Sequence, residues 1–152
     1  MNRDFVEMLS ALVEARAEFL IVGAHALAAH GVPRATGDLD IWVRCESKNA
    51  DRVLAALKAF GAPQFDLTRE DLLRPGTVFQ IGVPPSRIDI LTSISGVSFE
   101  QAWPNRTTIH VESLAVPVLG KNDFIANKRA VGRPKDLSDL DLLEETERER
   151  RP

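Results

Sequence analysis

Thr36-Gly37-Asp38-Leu39-Asp40-Ile41-Trp42-Val43 is the stretch on which the reading of this chain turns. Apolar Leu39, Ile41 and Val43 alternate with acidic Asp38 and Asp40, which is the period of a β-strand, whose successive side chains point to opposite faces. One face is thus apolar and suits a core, while both carboxylates share the other. Two unit charges a few ångströms apart repel by about 4 kcal/mol at an effective dielectric near 20. The pair therefore calls for a positive partner, and a divalent cation is the obvious candidate. Taken alone, the triplet reads equally as a turn at Gly37-Asp38 followed by a solvated Asp40.

Downstream, Arg87-Ile88-Asp89-Ile90-Leu91 repeats the device, with Asp89 interrupting an apolar β pattern. A third carboxylate at a shared cation site is one reading. A salt bridge from Arg87 is the other, although residues 87 and 89 of one strand point in parallel, which does not favour it. Upstream, Phe19-Leu20-Ile21-Val22 is a short apolar run, followed by Gly23 and then the alanine-rich Ala24-His25-Ala26-Leu27-Ala28-Ala29. That order reads as strand, tight turn and helix. A glycine at such a turn lets the backbone approach a ligand, and the helix start offers free N–H groups to phosphate.

In this order, Gly23-Ala24, Asp38-Leu39-Asp40 and the distant Asp89 resemble the core motif of the DNA-polymerase-β-like nucleotidyltransferases. That motif is a glycine with a small neighbour, an acid-x-acid pair and a later third acid. The stretch from Arg34 to Ile41 is more similar still to the small single-domain members, including those related to toxins of toxin–antitoxin and abortive-infection systems. Lys128-Arg129 and Lys135-Asp136-Leu137-Ser138-Asp139-Leu140 resemble their C-terminal segment, so the likeness spans roughly residues 19 to 143. It implies an α/β (α+β) fold, a mixed β-sheet flanked by helices. Asp38, Asp40 and Asp89 would be catalytic and would hold two Mg²⁺ ions, or Mn²⁺. Gly23, Ala24, Arg34, Thr36, Lys128, Arg133 and Lys135 would bind the nucleotide and its phosphates. The implied reaction moves a nucleoside monophosphate from a nucleoside triphosphate such as ATP to a hydroxyl of RNA, protein or a small molecule. Ala24 stands where the family carries glycine or serine, so a hydroxyl contact to phosphate is missing while the backbone N–H is kept.

Around that core, His25 borders the phosphate turn and Trp42 shares the face of Asp38 and Asp40, so both are accessory candidates, as is Asp136, although packing under a helix is the commoner fate of a tryptophan. Asp136 and Asp139 could instead orient the nearby cations or cap the last helix. His25 and His30 lie five apart, which is not the i, i+4 spacing of a helical zinc pair. The single cysteine, Cys45, excludes an internal disulfide and a multi-cysteine zinc site.

At 152 residues and 44% hydrophobic content the chain suits one domain, with residues 1–143 as the domain and 144–152 as a charged tail that frays. A formal net charge of −3 and a pI near 5.6 disfavour a nucleic-acid-coating protein. No apolar run approaches the ~20 residues of a membrane span, and the first residues are unlike a signal peptide. A cytoplasmic protein without membrane association is expected, with a cognate toxin or antitoxin partner and a homodimer left open. Phe5, Val6, Leu9, Leu12, Val13 and Ala17 predict a first helix over 3–18. A helix over 48–60 should stop at Gly61. Thr77–Val83 and the Asp89 strand should form a hairpin, Ser98 should cap a short helix, and two short strands should follow at 107–111 and 114–119. Two rival functions remain on the sequence alone: a catalytically idle binding module of the same fold, and a two-metal phosphate-ester hydrolase. The hydrolase lacks histidines at ligand spacing.

Overall fold

Alternating polarity in the acidic stretch is realised as β2 (Leu39–Val43), where Leu39, Ile41 and Val43 are completely buried. The computed structural model describes residues 1–33, 37–62 and 67–151, so the expectations for Arg34 and Thr36 lie outside the described residues. β2 runs antiparallel to β1 (Phe19–Val22) and parallel to β4 (Ile88–Leu91), which in turn pairs antiparallel with β3 (Val78–Ile81). On the far side of β1 lie β6 (Leu114–Val118), in parallel, and β5 (Thr107–Val111), antiparallel to β6. The sheet order is β3-β4-β2-β1-β6-β5. All of β1 is buried, as expected of a central strand covered on both faces.

Helices flank this mixed sheet. The first, α1 (Arg3–Glu14), is capped by the Asn2 side chain and turns Phe5, Met8, Leu9 and Leu12 into the core. It ends four residues before the predicted 18, because Ala17 N–H bonds back to Leu12 and Arg16 takes a left-handed φ of 59°, aiming the chain into β1. α2 spans Gly23–Ala29, and α3 spans Ser47–Phe60 and stops at Gly61 with φ 90°, as predicted. Buried Asn49 at the start of α3 accepts from Glu18 N–H and donates to the carbonyls of Glu18 and Arg44, so it ties the start of β1 and the end of β2 to that helix.

A short α4 (Arg69–Leu72) is absent from the sequence reading, although Thr68 and Asp71 form a complete capping box. α5 (Phe99–Ala102) is capped by Ser98 and continues into a 3₁₀ turn at Trp103–Asn105. α6 (Lys121–Val131) ends at Gly132, and α7 runs from Pro134 to Arg150. The expected frayed tail is therefore corrected: residues 144–150 are the end of α7. Ion pairs Glu144–Arg148 and Lys121–Glu147 and the Thr146 hydroxyl bond to the Leu142 carbonyl hold it there. Among the described residues no helix is long and apolar enough to cross a membrane.

Candidate active site

Strand registry brings the acids together. Asp40 lies directly opposite Asp89 across the parallel β2–β4 pair, and Gln80 flanks Asp89 on its other side from β3. Asp38 immediately precedes β2 and reaches the same cluster through Arg87. Asp40 is strongly perturbed by this setting. Burial first, then the neighbouring charge and hydrogen bond of Asp89 and the charge of Asp38, push its pKa up to about 6, against a smaller opposing pull from Arg87.

Gly23 makes room for this arrangement. It carries φ +68°, and a Cβ there would stand 3.3 Å from Asp40 Cγ and closer still to Oδ2. The glycine that the sequence reading assigned to a phosphate turn thus also admits the Asp40 carboxylate against the start of α2. Gly23→Ala should cost about 1–2 kcal/mol from the left-handed backbone alone and turn Asp40 away from Asp89. A urea melt reads the first effect. Loss of the raised Asp40 pKa in a carboxylate titration followed by NMR reads the second.

His25 supports the site from behind. Its half-buried imidazole hydrogen-bonds to the backbone of Asp38 and meets the Phe5 ring edge-on at 5.7 Å, and burial pushes its pKa down. That hydrogen bond ties Asp38 to the start of α2.

Three expectations need correction. The Arg87 salt bridge that strand geometry disfavoured is formed: Nε lies 3.0 Å from Asp89 Oδ1 and Nη2 lies 2.9 Å from Asp38 Oδ2. A long side chain curls along the strand where a short one could not. Trp42 does not wall the site, because it is 2% exposed and packs edge-on against Phe99 at 4.9 Å. Lys128, expected at phosphate, holds the last two helices together. Its side chain is 11% exposed, and Nζ lies 3.2 Å from Asp136 and 3.6 Å from Asp139.

Asp136 is fully buried, caps α7 through Arg133 N–H, and binds the Arg133 guanidinium at 2.7 Å. The Arg133 hydrogen bond holds its carboxyl down at about 2. Of the cations predicted for phosphate, Lys135 stands exposed at the start of α7, and Arg133 is committed to Asp136. From the sequence Arg87 is a possible partner of Asp89 alone, and its second contact, to Asp38, carries no signal in the strand pattern.

Among the described residues, no three His, Cys, Asp or Glu side chains stand arranged to hold a metal ion as they are, and the Arg87 guanidinium lies against Asp38 and Asp89. The donor chemistry nonetheless fits a hard cation. Asp38 Oδ1 and Asp89 Oδ1 are buried and accept no hydrogen bond, so the cluster keeps carboxylate oxygens unsatisfied.

No protein-family model and no curated protein matches the chain. Solved structures do. A protein from Thermotoga maritima assigned as a nucleotidyltransferase superposes with a TM-score of 0.59 at 13% identity, covering 97% of this chain and 92% of its own. The lincosamide antibiotic adenylyltransferase LnuA, solved with lincomycin bound, gives 0.59 at 10% identity, covering 95% and 96%. An antigenic nucleotidyltransferase-like protein from Paracoccidioides brasiliensis gives 0.55 at 19% identity, covering 94% and 74%. At such identities the likeness is one of architecture, and in architecture this chain is a small nucleotidyltransferase-fold protein.

Proposed function

We propose that this chain is a metal-dependent nucleotidyltransferase that moves a nucleoside monophosphate from a nucleoside triphosphate to a hydroxyl acceptor. One observation carries the reading: Asp40 and Asp89 face each other in register on adjacent parallel strands, with Asp38 joined to the same cluster. Three acids gathered at the start of β2 and β4, two of them with buried oxygens that accept no hydrogen bond even beside Arg87, are costly unless a further cation is to be bound.

Asp38, Asp40 and Asp89 would hold Mg²⁺ or Mn²⁺, and bound there the metal supplies positive charge that polarises the α-phosphate and stabilises the departing pyrophosphate. The protein's own parts do the rest. Asp89 would accept the proton of the acceptor hydroxyl, the backbone at Gly23 lies against Asp40 where the polyphosphate would pass, with the Ala24 N–H next in the chain, and Lys135 offers an exposed cation. His25 keeps Asp38 in place.

Acceptor class is the open choice. LnuA, an adenylyltransferase of a lincosamide antibiotic, covers this chain almost end to end and is covered by it, which supports a small-molecule hydroxyl as the first acceptor to test.

The test follows label from the α-phosphate of each of the four nucleoside triphosphates, with Mg²⁺, into RNA, protein and small-molecule fractions, comparing wild type with Asp89→Asn. Label that requires Asp89 is the expected result and names donor and acceptor class together. Phosphate release with no labelled acceptor would overturn the reading in favour of a hydrolase, and no turnover at all would leave a binding module.

A further inference from the structure

Arg87 occupies the space that the proposed chemistry needs. Its guanidinium reaches Asp38 Oδ2 at 2.9 Å and Asp89 Oδ1 at 3.0 Å, with Asp89 Oδ2 at 3.4 Å. We propose that Arg87 is an internal counter-cation, which holds Asp38 and Asp89 while no metal is bound and must leave both before a divalent ion can take them. This inference rests on the metal-dependent reading above.

Four features support an exchange of cations over a permanent structural bridge. A guanidinium stays protonated under any physiological condition, so it cannot yield its place by losing charge and has to move. The Arg87 side chain is 29% exposed, which gives the fork a solvent side towards which to swing. The bridge is also imperfectly made: Arg87 Nε and Asp89 Oδ1 are close enough for an ion pair, yet both are buried without a well-aligned hydrogen bond. Lastly, Asp38 Oδ1 accepts nothing, so the acids retain capacity that one guanidinium does not use.

Two cations competing for the same oxygens make the ion's affinity lower than the three acids alone would give. The competition also couples ion and anion. A polyphosphate arriving with the metal offers the displaced guanidinium a bidentate partner, so the free protein resists bare metal and accepts the metal–nucleotide complex.

The test uses the full chain and Mn²⁺ alone, titrated by calorimetry and by loss of the free-ion electron paramagnetic resonance signal. Arg87→Met, which keeps the length of the side chain and removes the charge, should bind Mn²⁺ at least tenfold more tightly than wild type, about 1.4 kcal/mol. It should also melt lower without metal and gain more from saturating Mn²⁺. Arg87→Lys, which keeps charge and loses the fork, should fall between them. Equal or weaker binding by a cooperatively folded Arg87→Met overturns the proposal while leaving metal dependence intact. Failure of both proteins to bind millimolar Mn²⁺ overturns both readings. Should Arg87→Met not fold, the wild-type Arg87 Nε–H resonance, identified by its loss in Arg87→Lys, decides the matter. It must shift on adding Mg²⁺, and an unchanged resonance with Mg²⁺ bound refutes the exchange.

Discussion

Asp40→Asn should abolish nucleotidyl transfer, by ~10³-fold or more, and yet raise the melting temperature of the metal-free protein. Both effects come from one carboxyl group. With a folded pKa near 6 against an ordinary 3.8, Asp40 favours its protonated form in the fold. Its contribution to stability is complete below pH 3.8 and is lost as pH rises through 6, because ionisation then opposes folding. Asparagine keeps the size and a donor towards Asp89 and never ionises. At pH 7 the variant should gain about 1–2 kcal/mol after discount for the partly exposed position. In a chain of this size that is about 2–6 °C in Tm. Thermal melts between pH 4 and pH 8 check it: the two proteins should agree at the acid end, diverge between about pH 4 and pH 6, and keep a constant difference above that. A variant that loses both activity and stability would show that Asp40 supports the fold and is not held there at the fold's expense.

Asp136→Ala should destabilise the protein by about 3 kcal/mol, the low end expected when one member of a buried ion pair is removed. Lys128 is left 11% exposed with Asp139 at 3.6 Å as its remaining carboxylate, and the start of α7 loses its cap. The pH dependence has the opposite sign to that of Asp40. Because the folded pKa is depressed to about 2, Asp136 stabilises fully above pH 3.8 and its contribution disappears as pH falls through 2. Urea melts of wild type and variant should thus differ at pH 7 and converge towards pH 2. A constant difference across that range would assign the loss to packing.

Legibility of the sequence followed how local each signal was. The acidic strand, the Asp89 hairpin, the Gly61 stop and the paired strands at 107–118 are all set by alternation or by single turn residues, and each lies where local chemistry puts it. The end of α1 was misjudged because Ala17 is apolar and on phase, while the break comes from a backbone reversal at Arg16 that periodicity does not register. The C-terminal residues looked like a solvated charge run. Their order depends on Lys121 and Glu147, which are 26 residues apart in sequence and adjacent only after α6 and α7 fold together. Lys128 fooled the reading for the same reason: its partners come from the next helix. In the site, the acids were visible from spacing, whereas the position of Arg87 depends on side-chain reach, which a strand pattern does not encode.

Sheet order imposes a schedule on synthesis. Residues 19–91 supply β1, β2, β3 and β4 and so assemble the entire acidic cluster, but the other edge of β1 waits for β6 at Leu114–Val118. While the ribosome adds the intervening residues, a fully apolar strand stands with one row of amide and carbonyl groups open, the kind of edge that recruits foreign strands. Nascent chains whose emerged portion ends between residues 91 and 114 should therefore be the species that holdase chaperones retain, and slowing synthesis while that portion is exposed should lower soluble yield without touching the finished protein.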